Sequence, residues 1–476
     1  MTAKVQPACQ PVQRGVLSFL TLIPAIEDPE KYPARQKWML TTIIALGGLM
    51  TPLSSGILFP VLIDIADSFH TTESVVNLSI AFSSLAVAIT PLWWSYLAES
   101  HGRRLVYLVS FLLLGVFNVL AAVSVNIGMF IAMRLLAGAA GASLQSVSAG
   151  TIADLFKAEE RGKAMGLSML GIMLGPMIAP IIGGALVTRW TWKSTQWLLT
   201  VYGFALFLVM LLCMPETATR MDEVRRCRAE ERASQGPVMQ RLGVVLKPLD
   251  ALTLLRFPGV FITVLYTGVV FGTYYMLYIS LEDVFSQPPY AWSAVLVGVA
   301  YVPGGLGLIV AAVLGGRWTD SIMKRAAVKA GRYDDEGNLV VHPEDRIGEN
   351  VLVAAILYPG ALLWWGWTVQ YHEFWLVPLV ANFVYGFAGM IVTNVTMTML
   401  TEFVPRRSTM GVAVNNLVRN SLSCVAAVIA QPMISNMGNG WTFTAVCVFC
   451  ILCGLPLILL RMKREEWHAR MAAVVN

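Results

Sequence analysis

The sequence predicts an all-α membrane protein of twelve transmembrane helices in two pseudo-symmetric six-helix halves, with both termini cytoplasmic. Three observations carry this. Of 476 residues, 56% are hydrophobic and only 13% charged, where a soluble domain carries about 25% charged residues. The apolar residues gather in long runs, each about 20 residues or more, the length needed to cross ~30 Å of hydrocarbon. Lysine and arginine are distributed asymmetrically: with both termini inside, thirty of the 34 lie in cytoplasmic segments, the side on which short basic loops are retained.

The runs fall near 40–64, 75–98, 105–125, 128–153, 163–187, 194–214, 257–280, 293–316, 349–369, 375–399, 409–434 and 441–461. They divide the chain into a cytoplasmic tail (1–39), a first six-helix half (40–214), a charged cytoplasmic loop (215–256), a second half (257–461) and a C-terminal tail (462–476). Ahead of the first run, "VLSFLTLIPAI" from Val16 is too short to span. It lacks a clean small-residue cleavage site, so an in-plane or loosely ordered segment fits better than a cleaved signal. Of the four remaining cations, Arg189 and Lys193 fall in an outer loop, while Arg134 and Arg419 lie inside spans.

Internal repetition supports the division into halves. The loop "SYLAESHGRR" after span 2 and "GRWTDSIMKR" after span 8 superimpose Glu99 on Asp320, Arg103 on Lys324 and Arg104 on Arg325. "RLLAGAAG" of span 4 against "NFVYGFAG" of span 10 sets Gly138 on Gly386 and Gly141 on Gly389, and the same offset sets Asp154 on Glu402. Parallel six-span repeats of this kind are a transporter architecture.

Other classes of function find little support. The five histidines are scattered over loops and span ends, with no pair spaced to hold a metal, and no phosphate-cradling loop appears. The run "CVFCILC" sits in a lipid-embedded helix with no histidine or carboxylate near it, so its cysteines read as small packing residues. The triplets at Asn77 and Asn394 fall in or against spans and read as chance glycosylation matches. No enzyme activity, cofactor, metal or nucleic-acid partner is expected, and the energy for transport should come from an ion or substrate gradient. A non-transporting nutrient sensor would fit the same fold, although its usual long signalling tail is not evident.

Against this background the motifs resemble those of the major facilitator superfamily, in particular its fungal twelve-span drug:proton antiporter group of quinidine-resistance, dityrosine and organic-acid exporters. "SYLAESHGRR" is similar to the superfamily's G-x-L-A-D-R-x-G-R-R box, with Ser95, Glu99 and Ser100 departing from it and Gly102, Arg103 and Arg104 matching. "GPMIAPIIGG" resembles the antiporter motif, mapping onto Gly175, Ala179, Pro180, Gly183 and Gly184, with Ala179 replacing glycine. "RLLAGAAGA", "MPET", "NNLVRN" and "GNGWTF" look like the same group. The resemblance implies a monomeric carrier of small molecules in the plasma membrane, working by alternating access, with protons as a candidate coupling partner. It also implies that Glu99, Gly102, Arg103, Arg104, Asp320, Lys324 and Arg325 latch and release helices at the cytoplasmic ends. Charge that merely sets topology in a solvated loop is the plainer reading of the six charged residues among them.

The two intramembrane arginines are the most informative residues. A guanidinium does not shed its proton, and at the centre of a span it costs at least ~2.5 to 3.5 kcal/mol. Arg134 shares a helical face with Gly138, Gly141 and Gln145, and Arg419 shares one with Asn415, Asn416 and Ser423. The acidic residues Asp64, Asp154, Glu282, Asp283, Glu349 and Glu402 all sit near span ends. Three roles stand open for the arginines: a structural cation held by carbonyls and amides, proton coupling, or capture of an anionic substrate. A carboxylate gains strong, often bidentate bonds from guanidinium. The leading expectation is therefore export of a small di- or tricarboxylate such as itaconate or citrate, with Arg134, Gln145, Asn415, Asn416, Arg419, Tyr274 and Tyr385 lining the site. Multidrug efflux through an aromatic pocket is the alternative.

Overall fold

A computed structural model describes residues 18–26, 28–156, 158–218, 247–331, 349–403 and 408–462. Its long elements are all α-helices: α1 (Ala34–Gly56), α2 (Leu62–Ser68), α3 (Glu73–His101), α4 (Arg103–Ala122), α5 (Ile127–Gly141), α6 (Ser143–Leu155), α7 (Ala158–Val187) and α8 (Lys193–Cys213). The chain continues with α9 (Pro258–Ser286), α10 (Ala294–Ala300), α11 (Val302–Lys329), α12 (Glu349–Gln370), α13 (Leu376–Phe403) and α14 (Ser408–Met462). Among the described residues, nine helical stretches are long and apolar enough to cross a membrane. One of them, Ala413–Pro456, contains Gly438 at φ 74°, ψ 166° and is two helices in succession. That glycine opens the "GNGWTF" stretch, where the chain turns through a conformation that L-residues with a Cβ rarely adopt. Most of the central loop, residues 1–17 and 463–476, and the side chains of Glu99, Asp320 and Glu402 lie outside what is described.

Several helices depart from the hydropathy pattern for local reasons. The first apolar run ends its α-helix at Gly56 and resumes as α2 after a 3-10 turn over Phe59–Val61, where Pro60 supplies no amide hydrogen. The seventh run extends well beyond 280, because α9 continues to Ser286 and carries Glu282 and Asp283 as helical residues. In the fourth run, α5 gives way to α6 around Ala142, where Gln145 N–H bonds to the Ala142 carbonyl at 3.2 Å. The Thr51 hydroxyl donates to the Gly141 carbonyl at this break, at 3.2 Å.

The chain forms two compact units. The first comprises Met1–Ser54, Ile89–Gly175 and Gln196–Leu249, and the second Ser55–Ala88, Pro176–Thr195 and Asp250–Asn476. In the first, α4 packs along α5; in the second, α9 lies along α14, α11 along α13, and α12 against α13 and α14. Helices α1, α3, α7 and α8 pass from one unit to the other after Ser54, Ala88, Gly175 and Thr195 respectively. Pro52, Pro91 and Pro176 stand inside the first three of these helices, each within three residues of the passage.

The α7 motif explains itself through packing, since small residues let helix backbones meet. Within the first unit, a Cβ on Gly171 would fall 1.9 Å from the Ala45 carbonyl oxygen, and one on Gly175 would fall 2.5 Å from Pro52 Cγ. Within the second, a Cβ on Gly183 would meet the Ile57 carbonyl oxygen at 2.4 Å and one on Gly184 the Ala294 carbonyl oxygen at 2.2 Å. Ala179 and Pro180 are buried between these contacts. Gly171→Ala is therefore expected to lower the thermal unfolding temperature in detergent, since overpacking costs about 1–3 kcal/mol. Gly166→Ala, whose Cβ would meet nothing within 4 Å, should be neutral or slightly stabilising by the same measurement.

Candidate functional site

The two arginines inside spans have different surroundings. Arg134 of α5 is 1% exposed, and its guanidinium donates to Ser54 Oγ and to the Ser54 carbonyl, both at 2.6 Å. Ser54 is two residues from the end of α1, where the last carbonyls of a helix have no partner within the helix. Arg134 thus serves as a side-chain cap where α1 breaks off in the apolar interior. Its charge also complements the negative end of that helix dipole. Gln145, expected on the same face, follows the α5–α6 break and keeps its Oε1 buried with no hydrogen-bond partner.

Arg419 of α14 is partly exposed. Its Cζ lies 4.3 Å from the centroid of the Phe271 ring, a cation–π geometry. Among the described residues no hydrogen bond or ion pair reaches its guanidinium, and its Nε is buried without a partner. Its neighbours on α14 satisfy themselves locally: Ser423 Oγ donates to the Arg419 carbonyl and Asn420 Nδ2 to the Asn416 carbonyl, both at 2.9 Å. Asn415 and Asn416 are buried, 1% and 7% exposed.

From Phe271 an aromatic series continues along α9 and onto its neighbours. Phe271 and Tyr274 have ring centroids 6.3 Å apart, Tyr274 and Tyr278 4.1 Å, and Tyr278 and Tyr301 4.7 Å. Phe59 closes the series, 5.8 Å from both Tyr278 and Tyr301. The structure thus brings Arg419 and Tyr274 to one wall through Phe271, a residue the sequence reading did not single out. Tyr385 is placed otherwise. Its hydroxyl donates to the Val270 carbonyl at 3.0 Å and shares Thr273 Oγ1 with Tyr358, so its polar end is engaged in a buried knot.

At the other ends of the first unit's helices, the "GRR" stretch forms a charged joint. Gly102 precedes α4 with φ 98° and ψ 158°, a backbone position that favours glycine. Arg103 pairs with Asp154 of α6 at 3.0 Å. Arg104 is buried and donates to the carbonyls of Leu211 (2.8 Å) and Met214. Glu216, 3% exposed, accepts from the backbone N–H groups of Arg103 (3.0 Å), Arg104 (3.2 Å) and Ala218 (3.1 Å). A carboxylate thereby meets the positive end of α4, where free N–H groups and the dipole both favour it. The sequence had offered Glu216 only as part of "MPET"; its role became visible through contacts more than one hundred residues away. In α11 the counterparts Lys324 and Arg325 are exposed, and Arg325 Nε makes a bond within its own helix, to the Ser321 carbonyl at 3.4 Å.

Comparison with known proteins agrees with this architecture. Residues 44–332 match the family model described as Major Facilitator Superfamily. The chain is 30% identical to the MFS antiporter QDR3 of Candida albicans, over 95% of this chain and 81% of the relative. It is 28% identical to quinidine resistance protein 3 of Saccharomyces cerevisiae, over 96% and 86% respectively. Among solved structures, a D-xylose–proton symporter superimposes with a TM-score of 0.66 at 16% identity, covering 88% of this chain and 96% of that one. At that identity the likeness bears on fold alone. With apolar helices, the antiporter-type packing motif and these relatives in hand, the chain is a multi-pass membrane transporter, not an enzyme, and belongs to the Major Facilitator Superfamily.

Proposed function

We propose that this transporter exports a small organic anion by alternating access, with twelve spans, both termini cytoplasmic and the plasma membrane as its site. The observation that supports the anion is the Arg419 guanidinium, partly exposed, without a hydrogen bond or ion pair among the described residues and lying over Phe271. A fixed cation in that setting remains under-compensated until an anion arrives, and a carboxylate offers it two charge-assisted bonds. One guanidinium against an aromatic wall favours a mono- or dicarboxylate such as itaconate. Citrate would bring more negative charge than this site has cations to meet. Arg134, bonded to Ser54 in the first unit, enters this proposal as a helix cap and not as a ligand.

The test is counterflow into proteoliposomes holding the purified protein, with itaconate, citrate and quinidine as labelled probes. Uptake of itaconate above that of protein-free vesicles is expected; transport of quinidine alone would reject the anion. The second reading, multidrug efflux, is favoured by the aromatic series from Phe271 to Phe59 and by the quinidine-resistance relative. Rings of this kind bind apolar cations through dispersion and cation–π attraction.

A further inference from the structure

One exposed apolar surface of the first unit lies outside its long helices. Residues 18–26, which lead towards α1, are two-faced. Ile23, Ala25 and Ile26 are buried, whereas Phe19 (74% exposed), Leu20 (39%) and Leu22 (75%) leave large apolar side chains uncovered. Two hydrogen bonds fix this strap. The Leu22 N–H donates to the Leu212 carbonyl at 2.7 Å, in the last turn of α8. Buried Tyr32 donates through its hydroxyl to the Pro24 carbonyl, also at 2.7 Å. The segment is thus held by its backbone and its inward side chains, and its outward side chains have no part in holding it to the unit.

A second observation comes from the helices at either end of the strap. On α8, Trp197, Val201, Leu208 and Leu212 stand at spacings that share one helical face, and all four are between 41 and 66% exposed. On α1, Arg35, Met39, Thr42 and Leu46 share a face in the same way and are likewise exposed. The Tyr202 hydroxyl of α8 donates to the Leu46 carbonyl of α1 at 2.7 Å, so the two helices are neighbours. Exposed apolar stripes of this length on a multi-pass membrane protein are its contact with lipid. Leu22 is bonded to the residue at which the α8 stripe ends, so the uncovered side chains of the strap continue that stripe. Near the start of α1 stand Trp38, 38% exposed, and exposed Arg35. Tryptophan gathers at the membrane–water boundary, and arginine keeps its charged end in the headgroups while its stem covers apolar surface.

We propose that residues 19–24 are a membrane-surface anchor, with Phe19, Leu20 and Leu22 seated at the boundary between headgroups and acyl chains of the adjoining leaflet. The partner is phospholipid: a soluble protein covering Leu22 would have to displace lipid from Leu212 beside it. Apolar side chains gain free energy at that boundary without any need to span. Anchorage also holds the Leu22 N–H on the end of α8, next to the Leu211 and Met214 carbonyls that accept from Arg104. The bilayer surface thereby supports the charged joint built from Arg103, Arg104 and Glu216.

The test is spin labelling of the intact chain in phosphatidylcholine vesicles, with a nitroxide attached through Phe19→Cys, Leu22→Cys or Lys31→Cys. Lys31, whose side chain is 67% exposed, is the control, and the signal of identically treated protein without the added cysteine is subtracted. At positions 19 and 22, collision with oxygen, which concentrates among acyl chains, should exceed collision with a water-soluble nickel chelate. At position 31 the order should reverse. Labels at 19 and 22 as open to nickel as the label at 31 overturn the proposal. Labels shielded from both reagents overturn it as well, because another protein segment would then cover them. A second measurement needs no label: hydrogen exchange across residues 18–26 in the same vesicles, comparing wild type with Phe19→Asp/Leu22→Asp. Both side chains are exposed in the protein itself, so their replacement breaks no internal packing. Exchange should quicken severalfold once lipid no longer holds the strap; exchange at the wild-type rate would overturn the anchor.

Discussion

Arg419→Ala is expected to reduce itaconate uptake in proteoliposomes at least about tenfold, the effect of losing ~1.4 kcal/mol of binding. A charge-assisted hydrogen bond contributes about 1.5–3 kcal/mol, so even one lost contact to a carboxylate meets that threshold. Arg419→Lys should fall between, because an ammonium keeps the charge and gives up the planar fork. The substituted protein should remain folded, since the guanidinium has no protein hydrogen-bond partner among the described residues to be left behind. Arg134→Ala should behave in the opposite manner. Removing its bonds to Ser54 leaves a helix-end carbonyl buried and unsatisfied, at a cost of about 1–3 kcal/mol, and the loss should show first in thermal stability. Undiminished itaconate flux in a folded Arg419→Ala protein would end the anion reading.

Glu216→Ala should cost the most stability of any single substitution at the charged joint. The carboxylate serves three backbone donors at once, two of them the opening N–H groups of α4, and it sits within electrostatic reach of Arg104. Breaking a buried charge arrangement by removing one member typically costs about 3–5 kcal/mol, because the remaining groups are stranded without solvent. Glu216→Gln keeps one acceptor oxygen and should recover part of the loss. Thermal unfolding followed by tryptophan fluorescence would order the three proteins wild type, glutamine, alanine. An alanine protein as stable as wild type would show that α4 does not depend on this cap.

The bilayer explains why the helices could be recognised before their contacts. Hydrocarbon offers no partner to backbone polar groups, so each crossing must be helical and apolar throughout, and every such run announces itself locally. Arg134 and Arg419 stood out for the same reason, as cations in apolar surroundings. What distinguishes them was not legible: Ser54 is eighty residues from Arg134, and Phe271 is one aromatic residue among many in α9. Glu216 gave no signal because its partners are backbone amides, which carry no residue-type signature. Glu282 reads as a span-end residue because hydropathy falls at the "SLEDVF" stretch, and its helix ends four residues later at Ser286. Hydropathy reports where lipid contact ends and does not report how deeply neighbouring helices enclose the turns beyond that point.

The prolines of α1, α3 and α7 bear on how such a carrier moves. Each lies within three residues of the place where its helix leaves one compact unit for the other. A proline withholds one rung of the helical hydrogen-bond ladder and crowds the carbonyl a turn before it, and kinks gather at such residues. Bending of these three helices is therefore expected to gather at a single turn in each shaft, leaving the turns on either side straight.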